Sequence, residues 1–192
     1  MIGSSRNSSA PLAITIRACE EFDMQAITEI YRHHVLTSPA TSETDPPSQS
    51  ELLRRHRTIV GGGYGYLAAV AGEKVTGFAY LSSYRPRPAY RYTVENSVYV
   101  APGYERRGIG RMLMLRLLED CRAKPFRQVI AVIGDSANVA SIELHRGLGF
   151  RMIGIHHSVG YKFDRWLDSV LMQKDINGGD QSEPLQIPMN PA

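Results

Sequence analysis

Residues 104–115, YERRGIGRMLML, most restrict what this chain can fold into, because they combine a helix pattern with misplaced charge. Three arginines crowd the start of the predicted helix, although the backbone dipole there is positive and favours acidic residues. The helix begins near Gly108 and has no Ser, Thr, Asp or Asn at its predicted cap, so its first N–H groups have no evident side-chain acceptor. Both features predict that a negative group binds at this helix start.

The residues of this turn suit a phosphorylated ligand. Gly108 and Gly110 lack the side chains that would keep a phosphate away from the backbone. The turn is neither a P-loop nor a complete GxGxxG fingerprint, because no Gly-Lys-Ser/Thr follows and the third glycine is absent. A solvated glycine turn with exposed arginines remains the alternative interpretation. The candidate anion site comprises Arg106, Arg107, Gly108, Ile109, Gly110 and Arg111.

Apolar periodicity divides the chain into predicted strands and helices. The order βααβββαβαββ predicts an α/β domain with a mixed sheet, roughly seven strands and about four helices. This domain covers residues 12–176, and residues 1–11 and 177–192, rich in small and polar residues, are predicted to be disordered tails. In chain order we predict a strand at 12–18, helices at 22–35 and 50–60, a hairpin at 64–84 turning near Gly72, a strand at 90–100, the helix from 108, a strand at 128–133, a helix at 136–148 and two terminal strands.

Charge and cysteine content limit the partners and the compartment. The 22 basic and 19 acidic residues give a net charge of +3, too small to indicate nucleic acid or a membrane surface but compatible with a small anionic ligand. Cys19 and Cys121 are the two cysteines; their spacing predicts no metal site, and a reducing compartment is favoured. The sequence shows no signal-peptide pattern and no run of the roughly 18 apolar residues of a membrane span, so we predict a cytoplasmic protein.

Glu95 is a carboxylate inside a strand of otherwise buried character. In TVENSVYV, the period-two pattern places Glu95 and Tyr99 on one face of the strand, and Val98 and Val100 on the other. Burial would raise the pKa of the carboxyl toward neutrality and make it a better general base. An ion pair between Glu95 and a neighbouring arginine such as Arg91 remains the alternative.

The helix at 136–148 carries a polar stripe on its inner side. Asn138, Ser141 and His145 are spaced i, i+3 and i+7, and their face lies nearly opposite Glu143 and Arg146. Polar groups that face inward need partners, which are either core hydrogen bonds or a bound ligand. The stripe alone does not decide between the two.

Together these segments resemble the GCN5-related N-acetyltransferase (GNAT) superfamily, and within it the phosphinothricin acetyltransferase branch. The strand TVENSVYVAP, the turn RRGIGR, the helix NVASIELHRGLGF and the late GYKFDRWLDSVLMQ occur in that branch's order and spacing. The resemblance implies the GNAT fold: a mostly antiparallel seven-stranded sheet with a splayed central strand pair and about four flanking helices. It also implies acetyl transfer from acetyl-CoA to a primary amine by direct attack in a ternary complex.

For the coenzyme, the resemblance implies contacts in three places. The turn at 106–111 would bind the pyrophosphate, and the splayed strand would offer backbone groups to the pantetheine arm and a backbone N–H to the thioester carbonyl. The polar stripe would add contacts from its helix. The residues expected at the pantetheine arm are Val98, Tyr99, Val100, Asn138 and Ser141.

For the chemistry, the resemblance implies two catalytic residues. Glu95 matches the glutamate that accepts a proton from the substrate ammonium. His145 occupies the place of a tyrosine near the coenzyme sulfur, and we expect it to protonate the departing thiolate or to hydrogen-bond it. The sequence departs from the family pattern at Glu105, where Gln or Arg usually opens the turn, and a carboxylate pointing inward there would weaken coenzyme binding.

The acceptor pocket is predicted from basic and aromatic residues in two segments. The cations would bind a carboxylate, phosphinate or sulfone oxygen, and the rings would wall an apolar slot. Phosphinothricin and methionine sulfoximine or sulfone are the acceptors that the resemblance implies, while surface charge and core aromatics are the alternative interpretation. The candidate acceptor-binding residues are Tyr84, Arg85, Arg87, Tyr90, Lys162 and Trp166.

Two other function classes stay open at this point. A protein or peptide N-acetyltransferase would have the same fold and a wide acceptor groove. A non-catalytic acyl-CoA sensor would bind the coenzyme and tolerate loss of Glu95. The family often forms homodimers, so a homodimer is expected from the resemblance.

Overall fold

Seven strands and four α-helices lie within residues 13–184, the part of the chain that the computed structural model describes. Their order is the predicted one, and each predicted helix and strand is present within a few residues of its expected bounds. The strands are β1 Ile14–Ala18, β2 Tyr66–Ala71, β3 Lys74–Ser83, β4 Thr93–Val100, β5 Gln128–Gly134, β6 Arg151–Lys162 and β7 Arg165–Asp175. The helices are α1 Met24–Thr37, α2 Gln49–Gly61, α3 Ile109–Asp120 and α4 Val139–Arg146.

The strands form one sheet in the order β1-β2-β3-β4-β5-β7-β6. Within residues 13–184, neighbouring strands are antiparallel except β4 and β5, which run parallel. This parallel pairing covers four residue pairs, from Thr93 with Gln128 to Asn96 with Ala131. Both strands continue beyond it, so they separate toward their carboxyl ends. The mixed, mostly antiparallel sheet with a splayed central pair is therefore confirmed.

Helices cover both faces of the sheet and bury two apolar clusters. On one face, α1 and α2 pack against β2 and β3 around Phe78, and α1 contributes the predicted stripe that includes Met24 and Ile27. On the other face, α3 and α4 pack against β3, β4 and β5, and Leu113 and Leu117 of α3 are fully buried. Each buried side chain of this size stabilises the fold by about 1.5–3 kcal/mol.

Two short turns connect the sheet's hairpins. The β2–β3 hairpin turns at Gly72, as predicted, with φ of 61°. The β6–β7 hairpin turns at Phe163 and Asp164, which both have φ of 54°, the conformation of a two-residue type I′ loop. The second turn pairs Lys162 with Arg165 at the hairpin tip.

The chain remains attached to the domain after β7. The side-chain amide nitrogen of Asn177 lies within 3.0 Å of the carbonyl oxygens of Cys121, Lys124 and Phe126. Arg127 donates to backbone oxygens of residues 182 and 183. The expected boundary at residue 176 thus differs from the structure, because polar composition does not reveal which polar groups find partners. The predicted tails at 1–11 and 185–192 lie outside the described residues.

Candidate active site

A cavity of about 650 Å³ opens where β4 and β5 separate. Its walls come from the carboxyl ends of both strands, the start of α3, the helix α4 and the loop between α1 and α2. Ligands of open α/β sheets bind outside the carboxyl ends of parallel strands, and this cavity has that position. The sequence-predicted residues that line it are Val98, Tyr99, Val100, Arg106, Gly108, Ile109, Gly110, Arg111, Asn138, Ser141 and His145.

The start of α3 has the uncapped geometry that the sequence predicts. Its N-cap residue Gly108 has φ of 79°, and within the described chain no side chain caps the helix. A Cβ added to Gly110 would lie 3.4 Å from Leu144, so the backbone here is closely approached by α4. Arg107 differs from the prediction, because its guanidinium lies 5.2 Å from the centre of the Tyr104 ring and is absent from the described cavity wall. The free N–H groups and the positive end of the dipole have the physical properties that favour an anion at this helix start.

Glu105, the departure from the family pattern, has a backbone partner in the preceding turn. Its carboxylate accepts a hydrogen bond from the Gly103 N–H at 2.8 Å. The acid therefore stabilises the turn that leads from β4 into α3. Although Glu105 contributes to the cavity wall, part of its hydrogen-bonding capacity is already used by the protein.

Glu95 is half-buried on β4, opposite Ser82 of β3. Burial raises the pKa of its carboxyl above the ordinary value. The carboxylate makes no hydrogen bond or ion pair with another residue in the range 13–184. The alternative partner Arg91 instead stacks 4.6 Å from the centre of the Tyr92 ring and donates to the Pro88 carbonyl. Glu95 is thus an unpaired base next to residues 96–100, which line the cavity.

His145 is buried and both of its ring nitrogens have partners. Nδ1 lies 2.8 Å from the Ser141 carbonyl oxygen, which can only accept, so Nδ1 carries the proton of the neutral ring. Nε2 then accepts from the side-chain amide of Asn96 at 2.9 Å. Burial lowers the pKa of His145. This arrangement leaves no proton on Nε2, so the predicted general-acid role requires protonation of the ring and release of Asn96.

The polar stripe on α4 makes the hydrogen bonds within the protein that were one of the two alternatives left open by the sequence. Asn138 is the N-cap of α4 and accepts from the Ser141 N–H at 3.2 Å, which is a structural hydrogen bond. Asn138, Ser141 and His145 also line the cavity. The stripe therefore combines internal hydrogen bonds with a position on the cavity wall.

Several cavity residues were missed by the sequence analysis. His34 of α1 lies with Nε2 2.9 Å from the Val100 carbonyl oxygen, and burial lowers the pKa of its imidazole. Asp135, at the end of β5, is buried with φ of 71° and pairs with Arg165 of β7. An acid in a turn between a strand and a helix was a usable signal for Asp135. No local pattern indicated His34 or the loop residues Ser38, Pro39 and Ala40, since their role depends on where β5 ends.

The predicted acceptor-binding residues fall into two places. Tyr84, Arg85 and Tyr90 cluster in the β3–β4 connection, where the Arg85 guanidinium lies 5.1 Å and 5.7 Å from the two ring centres. Arg87 lies exposed in the same connection. Lys162 and Trp166 lie instead at the tip of the β6–β7 hairpin, where Trp166 is 63% exposed and Lys162 is 6% exposed. None of these six residues is among those that line the described cavity.

Two features are absent from the described residues: a metal-binding cluster and a membrane-spanning helix. Residues 13–184 contain no cluster of three His, Cys, Asp or Glu side chains that could hold a metal ion. None of the helices in this part of the chain is long and apolar enough to cross a membrane.

Comparison with known proteins shows the family to which this chain is similar. The sequence model of the acetyltransferase (GNAT) family matches residues 27–150. A phosphinothricin N-acetyltransferase from Alcaligenes faecalis is 46% identical over 91% of this chain and 89% of its own length. An L-methionine sulfoximine/L-methionine sulfone acetyltransferase from Salmonella typhimurium is 38% identical over 85% of this chain and 95% of its own length.

A solved structure agrees with these relatives. The crystal structure of a GNAT superfamily phosphinothricin acetyltransferase from Sinorhizobium meliloti, in complex with AcCoA, has a TM-score of 0.87 and 43% identity to this chain. It covers 90% of this chain and 94% of its own. The chain therefore belongs to the GNAT family of acetyltransferases and to its phosphinothricin acetyltransferase-like branch.

Proposed function

We propose that this acetyltransferase transfers the acetyl group of acetyl-CoA to the primary amine of a small amino-acid-like acceptor of the phosphinothricin or methionine sulfoximine/sulfone type. The observation that supports this most is the cavity that joins the β4–β5 splay to the uncapped start of α3. The splay suits an extended pantetheine arm, and the helix start suits a pyrophosphate. The activities named for the similar enzymes supply the acceptor class.

In this proposal the coenzyme is bound mainly by backbone groups. The first N–H groups of α3 bind the pyrophosphate, and Arg106 and Arg111 supply charge at that end of the cavity. Residues 98–100 of β4 bind the pantetheine arm and provide a backbone N–H to the thioester oxygen, where negative charge develops. Asn138 and Ser141 contact the arm from α4.

Glu95 is proposed as the general base. It accepts a proton from the acceptor's ammonium group, directly or through water, and so frees the nitrogen lone pair. The amine attacks the thioester carbonyl and a C–N bond forms. The C–S bond then breaks, the nitrogen loses its remaining excess proton, and the departing coenzyme thiolate takes up a proton, so that the products are a neutral amide and the thiol. The raised pKa of the half-buried Glu95 carboxyl supports this role, because a raised pKa makes the carboxylate a stronger base.

His145 is proposed to donate a proton to the thiolate, and this role requires a change in its protonation and its hydrogen bonds. Its neutral ring must first take up a proton, and Asn96 must release Nε2. If neither occurs, solvent supplies the proton to the thiolate and His145 acts by holding Asn96 beside the coenzyme.

The acceptor is proposed to bind on the Glu95 side of the sheet. The Tyr84, Arg85, Arg87 and Tyr90 group supports a site for the acceptor's anionic end, because it brings cations and aromatic faces together next to the strand that carries Glu95. Trp166 belongs to this proposal only if a second subunit contributes its hairpin, since it lies in the other group of predicted residues.

We also propose a homodimer and a cytoplasmic location. The homodimer is supported by a row of apolar side chains on the β6–β7 hairpin that are each at least 38% exposed. The location is supported by Cys19 and Cys121, which are both buried free thiols. The exposed apolar residues of the hairpin are Met152, Ile153, Ile155, Val159, Tyr161, Phe163 and Trp166.

The test is acetyl-CoA-dependent thiol release across a panel of amines. The panel contains phosphinothricin, methionine sulfone and sulfoximine, ordinary amino acids, polyamines, aminoglycosides and short peptides. Turnover confined to the amino-acid analogues is expected. Turnover on peptides alone would replace the acceptor class, and coenzyme binding without turnover on any amine would contradict the catalytic proposal in favour of a sensor.

A further inference from the structure

Lys162 is a buried cation whose described hydrogen-bond acceptors are both backbone carbonyl groups, and its Nζ also lies 4.9 Å from the centre of the Phe163 ring. Its side chain is 6% exposed, and Nζ donates to the carbonyl oxygens of Ser38 at 3.0 Å and Thr41 at 2.9 Å. No carboxylate within residues 13–184 forms an ion pair with it. Burial lowers the pKa of the ammonium. Desolvating a charge without a directly paired carboxylate is costly, and the two carbonyl contacts, the Phe163 ring and the more distant Glu43 charge offset part of that cost.

These two carbonyls belong to the end of α1 and the loop that follows it. Ser38 is the C-cap of α1, where the helix dipole is negative and a cation is favoured. Thr41 is buried, and its hydroxyl lies 2.9 Å from the Tyr31 hydroxyl. Lys162 therefore joins the tip of the β6–β7 hairpin to residues 38–41, more than 100 positions earlier in the chain.

The same loop forms a wall of the cavity. Ser38, Pro39 and Ala40 line it, and the Pro39 carbonyl lies so close to β5 that a Cβ on Gly134 would overlap it. The loop belongs to the face of the sheet covered by α1 and α2, which is the face that carries Glu95 and Tyr99. The α3 start and α4 lie on the opposite face, so the loop borders the acceptor side of the cavity rather than the pyrophosphate end.

Glu43 fixes the far end of this loop. Its carboxylate accepts from the Tyr31 hydroxyl at 3.0 Å and from Arg55 of α2 at 2.5 Å. The loop is thus tied to α1, to α2 and, through Lys162, to the hairpin. Of these three attachments, the one made by Lys162 comes from β6, the edge strand of the sheet.

We propose that Lys162 is a positioning residue that holds the α1–α2 loop in place as the acceptor-side wall of the cavity, and that it does not bind the acceptor's anionic group. This inference rests on the acetyl-transfer function proposed above and deepens it. Lys162 acts through the loop, so its loss changes how the acceptor is held while the pyrophosphate end stays intact.

The kinetic test compares Lys162→Met with wild type and with Lys174→Met, a matched lysine variant on β7. We expect Lys162→Met to raise the KM of the acceptor by roughly 10- to 100-fold, with little change in the dissociation constant of acetyl-CoA, because a displacement of about 1 Å has effects of that size. The rise should be similar for phosphinothricin and for methionine sulfone, whose side chain is uncharged. A rise confined to phosphinothricin would overturn the proposal in favour of direct anion binding by Lys162.

A second measurement does not depend on turnover. Hydrogen exchange of the amides at residues 40–44 should be faster in free Lys162→Met than in free wild type, with Lys174→Met unchanged. Unaltered exchange in that segment would overturn the proposal, even if the enzyme proved inactive on every amine. If Lys162→Met does not fold, Lys162→Gln, which keeps an N–H donor on a shorter, uncharged side chain, should show a smaller increase confined to the same loop, and its absence would overturn the proposal.

Discussion

The Glu95 carboxylate combines partial burial with the absence of any described partner, and this combination sets its acidity. Burial raises its pKa, so the fraction of ionised base increases with pH through a range above that of an ordinary glutamate. Wild-type activity should therefore rise with pH across that range. Partial burial makes the charged form of Glu95 less stable, and the same burial makes the carboxylate a stronger base.

The first prediction concerns Glu95→Gln in catalysis. We expect kcat/KM at neutral pH to fall by about 100-fold or more, the usual size of general-base catalysis, with little change in acetyl-CoA affinity. Activity should partly recover at high pH, where the amine loses its proton unaided. A pH–rate profile of wild type, Glu95→Gln and the exposed control Glu73→Gln provides the measurement, and a profile shared by all three would remove Glu95 from the mechanism.

The second prediction concerns the stability of the same variant. Because the folded-state pKa of Glu95 is raised, its stabilising contribution is present at acidic pH and is lost as the pH rises through that pKa. Glu95→Gln avoids this loss, so its melting temperature should exceed that of wild type at neutral pH and match it in acid. Thermal unfolding at both pH values tests this, and a less stable variant at neutral pH would contradict it.

At the scale of elements, the start of α3 depends on what its two glycines exclude. A Cβ at Gly110 would meet Leu144, Val100 and Val98 at 3.4–3.9 Å, which are ordinary contacts, so alanine fits there when no ligand is bound. Gly108 differs, since its φ of 79° is strained for any other residue. The two glycines thus have separate purposes, one in ligand approach and one in backbone conformation.

The third prediction follows from that difference. Gly110→Ala should be at least as stable as wild type, because alanine is favoured over glycine in helices by up to about 1 kcal/mol. Its affinity for acetyl-CoA should drop about tenfold, the equivalent of one charge-assisted hydrogen bond of about 1.5 kcal/mol. Calorimetric titration checks this against Gly154→Ala, a strand glycine with open space around it. Equal affinities would show that the α3 start does not closely approach the coenzyme.

The elements and the helix start could be predicted from the sequence because their signals are local. Periodicity predicted the helices and strands, and the missing cap residue before Gly108 predicted the uncapped start of α3. The limits of the β4–β5 pairing could not be predicted, since strands separated by residues 101–127 make contacts that no local pattern encodes. The burial of Lys162 could not be predicted for a similar reason: its neighbours Tyr161 and Phe163 are exposed while the lysine is buried, the reverse of the usual pattern.

At the scale of the whole molecule, the β6–β7 hairpin carries seven of the exposed large apolar side chains of the described residues. The side chains of Ile153 and Val159 are 51% and 60% exposed, and the Tyr161 and Trp166 rings pack against each other at 5.3 Å on the same hairpin. Contiguous exposed apolar residues are typical of a surface that another protein covers. This surface is therefore the proposed interface of the homodimer.

The fourth prediction tests that surface. Wild type should sediment as a dimer, and the double variant Ile153→Lys/Val159→Lys should sediment as a monomer, because two charges per subunit would be buried in the interface. Phe22→Ser is the control, since Phe22 is 70% exposed but lies near the start of α1. A wild-type chain that sediments as a monomer at micromolar concentration would contradict the homodimer.

The short parallel pairing of β4 and β5 has a mechanical consequence. Within the sheet, four residue pairs join a half made of β1–β4 to a half made of β5, β7 and β6. A pantetheine arm bound between β4 and β5 would contact both halves of the sheet. The coenzyme would then stabilise the fold as well as take part in the reaction. At a concentration 100 times its dissociation constant, such a ligand adds about 2.7 kcal/mol to the free energy of unfolding. The stability of this enzyme would then increase with the concentration of acetyl-CoA, its own substrate.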